Sequence, residues 1–168
     1  MRKSVVLISA ILLIVSVASA QSAQAAKAGL LSAAEVKKVL PSDFFFSGQV
    51  APVQARNSAG IRFADKKLFL IAMVDTSGYS SNIAEKYQGM LITEAAVSIG
   101  GSNLPAGVYG FGTSPDGKFN VMNMAGEQVL TVGTETDSAV AHPVPLTMSE
   151  DGGKYRLYLG RKHVTISR

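Results

Sequence analysis

The sequence predicts an all-β domain, either an antiparallel β-sandwich or a small β-barrel of about eight to nine strands with one short N-terminal helix. Turn-forming residues recur about every eight to fifteen positions after Leu40, and the segments between them are short and rich in apolar residues. No stretch after Leu40 keeps a sustained helical period, apart from one helical turn around 82–87. Together these patterns favour strands joined by tight turns.

Residues 1–20 have the pattern of a secretory signal peptide. Two basic residues precede an apolar stretch at 5–17, and an A-x-A sequence at 18–20 provides a cleavage site. The apolar stretch is shorter than the ~20 residues that span a bilayer. We therefore expect cleavage after Ala20, with Ala25 as the second choice. The cleaved chain would be exported to the periplasm or the medium, with no transmembrane segment.

Composition narrows the domain organisation and the classes of function. The formal net charge is only +4, which does not indicate the dense basic face of a nucleic-acid-binding protein. There is no cysteine, so disulfides, zinc–thiolate sites and thiol nucleophiles are excluded. We expect residues 21–31 to form a flexible leader and 32–168 to form a single domain.

The one convincing helix is predicted at residues 32–40. Ser32 and Glu35 have the spacing of a capping box, in which each side chain accepts a hydrogen bond from the other residue's backbone. Pro41 disfavours helical geometry in the residue before it, so the helix must end near Leu40. Such a short helix would cover one edge or one end of a sheet.

The predicted strands follow in order, with a turn expected at 57–60. The run LFLIAMV at 68–74 is continuously apolar, which is typical of a strand covered on both faces. The nine predicted strands are 49–55, 61–63, 68–74, 90–99, 108–113, 118–124, 129–132, 155–159 and 163–166.

The segment GGSNLPAGVYGFG at 100–112 reads as the tip and return arm of a hairpin. Tyr109 and Phe111 would share one face of the return strand, and Gly110 and Gly112 the other. The bare glycine face either lets another part of the chain pack closely, or forms the wall of a ligand groove.

Residues 96–111, AVSIGGSNLPAGVYGF, resemble a G-x-x-L-P-A-G-x-Y-x-F hairpin of secreted bacterial β-sandwich families. The segments 44–63 and 74–94 are similar to an uncharacterised exported bacterial family of unknown function. The resemblance implies an exported all-β protein, and it brings no activity, cofactor or partner with it.

Catalytic and metal-binding motifs are missing from the sequence. The two histidines, His142 and His163, have no H-E-x-x-H spacing, and neither a G-x-S-x-G elbow nor a D-x-[DN]-x-[DN]-G calcium loop is present. We expect no cofactor, no metal and no catalytic residue. A hydrolase without a recognisable signature, using His142 or His163 as its base, remains the alternative.

The leading prediction is an exported, non-catalytic protein that binds a small apolar ligand or a cell-envelope partner. The polar segment 75–86 lies in a long predicted connection, and long loops often carry function. An outer-membrane barrel ranks last, because most predicted strands are shorter than the ~9–11 residues that cross a bilayer. The candidate ligand-binding residues are Asp75, Tyr79, Tyr87, Tyr109, Gly110 and Gly112.

Overall fold

A computed structural model describes residues 27–168, and in this range the chain forms two antiparallel sheets that pack face to face. The all-β sandwich with a short helix is therefore confirmed, and the strands do not close into one barrel. The predicted signal peptide and most of the predicted leader lie outside the described residues.

The strands and helices have the following bounds. The first sheet contains β1 (Gly29–Leu30), β2 (Asp43–Phe46), β3 (Gln49–Arg62), β4 (Leu68–Val74), β5 (Gly89–Thr93), β8 (Gly107–Thr113), β9 (Lys118–Met122) and β10 (Gln128–Gly133). The second contains β6 (Val97–Ile99), β7 (Ser102–Leu104), β11 (Glu135–Thr136), β12 (Thr147–Asp151), β13 (Lys154–Leu159) and β14 (Lys162–Ser167). The helices are α1 (Ala33–Val39) and α2 (Ser81–Lys86).

The strand order is set by hairpins and by three crossings between the sheets, after β5, β7 and β10. The first sheet runs β1-β3-β4-β5-β8-β9-β10, with β2 paired to β3. The second runs β12-β13-β14-β6-β7, with β11 paired to β14. The chain leaves the first sheet after β5, forms the β6–β7 hairpin in the second, and returns as β8.

This path divides the segment predicted as one strand at 90–99. β5 ends at Thr93, whose hydroxyl donates to the Ala95 carbonyl (2.6 Å) as the chain bends toward the second sheet. The segment 96–111 is likewise not one hairpin. It contains the β6–β7 hairpin, and the strand after it belongs to the other sheet.

Two further sequence predictions differ from the structure. The turn expected at 57–60 is absent, because β3 continues through these residues with a pairing irregularity between Val53 and Ser58. Gly29 and Leu30, placed in the leader by the sequence, pair with β3 as the short strand β1.

Helix α1 begins as predicted. The Ser32 hydroxyl accepts from the Glu35 backbone N–H. The Glu35 carboxylate accepts from the Ser32 backbone N–H and hydroxyl, and these two bonds lower the pKa of Glu35. Val36 is buried against the outer face of the first sheet, where Gly60 leaves room for it. The helix thus covers one part of that face.

The interior of the sandwich is filled by a continuous apolar core. Strand β4 contributes Phe69 and Ile71 to this core, whereas Ala72 and Val74 point to the opposite face. That opposite face carries a second apolar cluster, covered by β2 and α2. The prediction that 68–74 is covered on both faces is therefore confirmed.

Candidate functional site

An open apolar groove of about 620 Å³ lies at the β2–β3 hairpin. We call it the hairpin groove. It is lined by Phe45, Phe46, Ser47, Gly48, Gln49, Val50, Tyr79 and Met124.

The groove arises from the alternation of side chains along β2. Phe44 and Phe46 are buried in the second cluster, so Phe45 between them must point outward. Phe45 pairs with Val50 across the hairpin. Three large apolar side chains are exposed here, Phe45 by 65%, Val50 by 43% and Met124 by 37%. Burying them under a ligand would be favourable.

The base of the groove is built from contacts between aromatic rings. The Phe46 ring stacks on Tyr87 with centroids 4.4 Å apart, and its tilted contact with Tyr79 spans 5.9 Å. The Tyr79 hydroxyl donates to the Val50 carbonyl. Tyr79, which comes from the loop after β4, is thereby tied to β3.

The hairpin turn is held in an uncommon conformation. Ser47 and Gly48 have φ values of 45° and 72°, the signs that a two-residue type I′ turn requires. Serine rarely adopts a positive φ. Here the Ser47 N–H donates to the Met124 carbonyl (2.9 Å), and its hydroxyl lies 3.1 Å from the Tyr87 hydroxyl. These bonds fasten the turn to the β9–β10 loop and to the second cluster.

One buried polar atom next to the hairpin turn lacks a partner among the described residues. The side-chain carbonyl oxygen of Gln49 is buried and makes no hydrogen bond within residues 27–168. Buried polar atoms are normally hydrogen-bonded, so each exception needs an explanation. This acceptor sits beside the turn, where Gln49 pairs with Phe46.

The structure places two of the six predicted ligand-binding residues in the loop after β4. Tyr79 is half-buried and lines the hairpin groove. Asp75 caps its own loop, and hydrogen bonds from the Ser77 hydroxyl and backbone N–H hold the pKa of its carboxylate below the ordinary value. Asp75 does not line the groove.

The other two tyrosines point to opposite sides of the first sheet. Tyr87 is buried beneath the groove, where its ring stacks on Phe46. Tyr109 faces the sandwich core, its hydroxyl donates to the Pro105 carbonyl (3.1 Å), and burial raises its pKa. The structure therefore does not bring Tyr109 together with Tyr79 and Tyr87.

Gly110 and Gly112 lie on the glycine face of β8, for which the sequence left close packing and a ligand groove as alternatives. A Cβ on Gly110 would lie 2.3 Å from the Tyr87 ring, and one on Gly112 would lie 2.3 Å from the Glu85 carbonyl oxygen. The glycine face of β8 is therefore covered closely by α2 and Tyr87. Gly112 also borders a smaller cleft of about 280 Å³ beside Lys86.

His163, one of the two histidines of the alternative hydrolase prediction, has an acidic neighbour in the described range. His163 is buried, stacks on Tyr158 at 5.0 Å, and its Nε2 lies 3.5 Å from the Glu135 carboxylate in a polar cleft of about 330 Å³. Its Nδ1 is buried and has no hydrogen-bond partner among the described residues, so no serine hydroxyl is bonded to it there. The arrangement has an acid and a base but lacks the nucleophile contact of a triad.

Three further features of residues 27–168 concern His142, metal binding and membrane-spanning helices. His142 is exposed and lines a small pocket of about 130 Å³ with Val140 and Val144. No group of three or more metal-ligating side chains occurs within residues 27–168. Neither helix in this range is long and apolar enough to cross a membrane.

Tyr79 is the one groove residue that was predicted from the sequence; the segment 45–50 and Met124 were not among the predicted site residues. The segment DFFFSGQV did carry a signal, an aromatic strand followed by a Ser-Gly turn, which is typical of a hairpin. Met124 had no such signal, because pairing in the sheet brings it to the groove.

Comparison with known proteins adds no relative. No protein-family model matches the chain, and neither a curated protein nor a solved structure shows significant similarity to it.

Proposed function

We propose that this chain is an exported, non-catalytic binding protein that holds a small apolar ligand in the hairpin groove. The observation that carries the proposal is the cluster of exposed apolar side chains around a cavity of about 620 Å³. This volume lies within the range of roughly 300–1,000 Å³ that is usual for small-molecule sites. A partner in the cell envelope is the second candidate occupant of the same surface.

The contrast with the rest of the molecule supports the groove as the site. The sandwich interior is filled with apolar side chains, and the glycine face of β8 is covered by Tyr87 and α2. The groove instead exposes Phe45 above a base of packed aromatic rings. A packed base favours binding because little side-chain entropy is lost when a ligand arrives.

Export is proposed from residues 1–20. Their charged start, short apolar stretch and A-x-A end are the features that the secretion machinery recognises. Cleavage after Ala20 would release a chain that keeps every residue of the groove.

A hydrolase remains the alternative function, favoured by the 3.5 Å contact between His163 and Glu135. It would need a serine or a water to reach His163 through the polar cleft. Hydrolytic activity that is lost in His163→Gln and kept in Phe45→Ser would support this alternative against the binding protein.

Titration with a neutral fluorescent probe, N-phenyl-1-naphthylamine, tests the proposed function. Phe45→Ser should weaken binding by about tenfold or more, since it removes a large apolar contact from the groove. Val144→Ser is the matched control: Val144 is 45% exposed and lies in the loop before β12, in the second sheet's half of the molecule. Its affinity should stay within about twofold of wild type.

Two results would contradict the ligand proposal. The first is the absence of saturable probe binding to the wild-type protein. The groove would then be assigned to a partner in the cell envelope. The second is an equal loss of affinity in Phe45→Ser and Val144→Ser, which would place the probe elsewhere.

A further inference from the structure

We propose that the free edge of β2 binds an extended peptide by β-strand addition, with an apolar side chain of the peptide beside Phe45 and a basic side chain beside Asp43. The inference goes beyond the proposed function, because it concerns the main chain of β2 and gives the chemistry by which this edge would recognise a protein partner.

The first argument is that β2 pairs on one side only. Within residues 27–168 its partner strand is β3. Phe46 and Gln49 flank the two-residue turn and form the hydrogen-bonded pair that closes it. Pairs along an antiparallel ladder alternate between hydrogen-bonded and non-hydrogen-bonded. Phe45 and Val50 therefore form a non-hydrogen-bonded pair, and the N–H and carbonyl of Phe45 point away from β3.

Hydrogen bonds elsewhere in the hairpin agree with this alternation. The Val53 N–H donates to the Ser42 carbonyl (2.8 Å), so even-numbered positions of this segment face β3. The Val50 carbonyl points away from β2 and accepts from the Tyr79 hydroxyl. The main-chain groups of Phe45 point the other way, and they make no hydrogen bond among the described residues. An unpaired donor and an unpaired acceptor thus lie side by side on the free edge.

Asp43 occupies the other outward-facing position of this edge. It lies opposite Pro52, whose carbonyl accepts from the Asp75 N–H (2.9 Å) on the far side of β3. The side chain of Asp43 projects from the same face of β2 as that of Phe45. Its exposed carboxylate accepts from the adjacent Ser42 hydroxyl (2.6 Å) and has no ion-pair partner within residues 27–168.

The edge is accessible, and at the turn it already holds a main-chain partner. The Ser47 N–H points from this edge and donates to the Met124 carbonyl (2.9 Å). The β9–β10 loop therefore occupies the edge at Ser47 and leaves Phe45 and Asp43 open. Phe45 is 65% exposed.

An extended peptide has the groups that this edge lacks. Its main chain would pair with Phe45 and Asp43, and antiparallel pairing is the more stable arrangement. An apolar side chain opposite Phe45 would extend the exposed row of Val50 and Phe45. A basic side chain two residues further along the peptide would lie opposite Asp43 and form a cross-strand ion pair. The recognised segment is therefore an apolar residue, one spacer residue and a basic residue.

An NMR titration of the isotope-labelled protein with the peptide acetyl-Thr-Val-Thr-Lys-Thr-amide tests this inference. The amide signal of Phe45 should shift in a saturable way, because its N–H gains an acceptor. Two N-methylated peptides give the matched comparison. A methyl on the valine nitrogen removes an N–H that faces β2 and should weaken binding by about tenfold or more. A methyl on the central threonine nitrogen removes an N–H that faces away, so the affinity should stay within about threefold.

Two protein variants test the same bond from the other side. Phe45→Pro and Phe45→Ala both lose the ring, but only proline lacks the N–H, and an edge strand tolerates proline where the N–H faces solvent. Phe45→Pro should bind the peptide about three- to tenfold more weakly than Phe45→Ala, the effect of one net hydrogen bond.

The charge of Asp43 is tested separately. Asp43→Asn should weaken peptide binding by about two- to fivefold, the effect of one cross-strand ion pair. Glu85→Gln is the matched control, because Glu85 is an exposed carboxylate on α2 that does not line the hairpin groove. Its affinity for the peptide should equal that of wild type.

Several results would overturn the inference. They are a Phe45 amide that does not shift, equal losses for the two N-methylated peptides, and equal peptide affinity in Phe45→Pro and Phe45→Ala. Equal affinity in Asp43→Asn and wild type would remove the basic residue from the recognised segment. A wild-type dimer that Phe45→Pro converts to a monomer would assign the edge to a second copy of the chain.

The N-phenyl-1-naphthylamine titration separates this inference from the proposed function. The probe needs no main-chain hydrogen bond, so it should bind Phe45→Pro and Phe45→Ala alike. Probe binding without peptide binding would keep the small-ligand groove and remove the inference. Peptide binding without probe binding would support the inference and contradict the small-ligand proposal.

Discussion

Asp65 and Arg168 show how single residues tie distant parts of the chain together. The Arg168 guanidinium donates to both carboxylate oxygens of Asp65, at 2.6 and 2.7 Å, across a separation of 103 positions. It also lies 5.1 Å from the centre of the Phe63 ring. The residue after β14 of the second sheet is thereby fastened to the loop between β3 and β4 of the first.

This pair gives a pH-dependent prediction. Hydrogen bonds from Arg168 lower the pKa of the Asp65 carboxyl from 3.8 to about 2. Because the folded-state pKa is the lower one, the stabilisation is complete above pH 3.8 and is lost as the pH falls through about 2. In Arg168→Gln, an NMR titration of the Asp65 carboxyl should show its midpoint rising toward 3.8.

Asp116 is the internal control for that titration. Hydrogen bonds from Lys118 and Ser114 lower its pKa, and Arg168 is not among the causes. Its midpoint should be the same in both proteins. An Asp65 midpoint that does not move in Arg168→Gln would show that the ion pair does not form in solution.

At the scale of single residues, contacts between side chains that are close in sequence could be predicted, and contacts between distant side chains could not. The Ser32–Glu35 capping box is a pattern within four residues, and the sequence predicted it correctly. The hairpin groove, in contrast, combines the segment 45–50 with Tyr79 and Met124 from other parts of the chain. No spacing along the sequence shows that these residues meet.

At the scale of elements, strand β2 carries two roles on its two faces. Phe46 is 1% exposed and packs in the second cluster, whereas its neighbour Phe45 is 65% exposed in the groove. The pleat of the strand separates them, so the Phe46 ring packs in the second cluster and the Phe45 ring is exposed to solvent in the groove. The sequence FFF alone does not show which ring is buried and which is exposed.

Two alanine variants on β2 test this division. Phe46→Ala should lower the free energy of unfolding by about 3–5 kcal/mol, because it empties a packed site between Tyr87 and Phe44. Phe45→Ala should cost about 1 kcal/mol or less, because its ring is mostly exposed. Urea unfolding measures both. Equal losses would mean that the register of β2 is not the one described.

Elements were predictable where one segment stays in one sheet. The continuous apolar run of β4 indicated a strand covered on both faces, and the structure agrees. The alternation at 90–99 also indicated strand, but it continues across the bend at Thr93, where the chain changes sheets. Periodicity reports side-chain direction and not the sheet that a strand joins.

At the scale of the whole molecule, the fold consists of a filled sandwich and a second cluster on its outside. The hairpin of β2 and β3 and the helix α2 close over the outer face of the first sheet. The groove lies where this cover meets solvent. Its lining comes from three separate segments, 45–50, Tyr79 and Met124.

The class of fold followed from the sequence because turn spacing and strand patterns are local. The choice between sandwich and barrel did not, because it depends on which distant strands pair. Strands β5 and β8 pair although a hairpin of the other sheet lies between them in sequence. The hairpin groove depends on contacts between distant segments, so the sequence alone could not locate it.

The central claim is that the hairpin groove holds a small ligand in the exported protein. Native mass spectrometry of the wild-type protein and of Phe45→Ser, each recovered from the exported fraction of its own host, tests it directly. We predict a chain that begins at Gln21 and retains a small apolar molecule in wild type, with that molecule lost or strongly reduced in Phe45→Ser. A bare wild-type mass, or a bound molecule that persists unchanged in Phe45→Ser, would contradict the account.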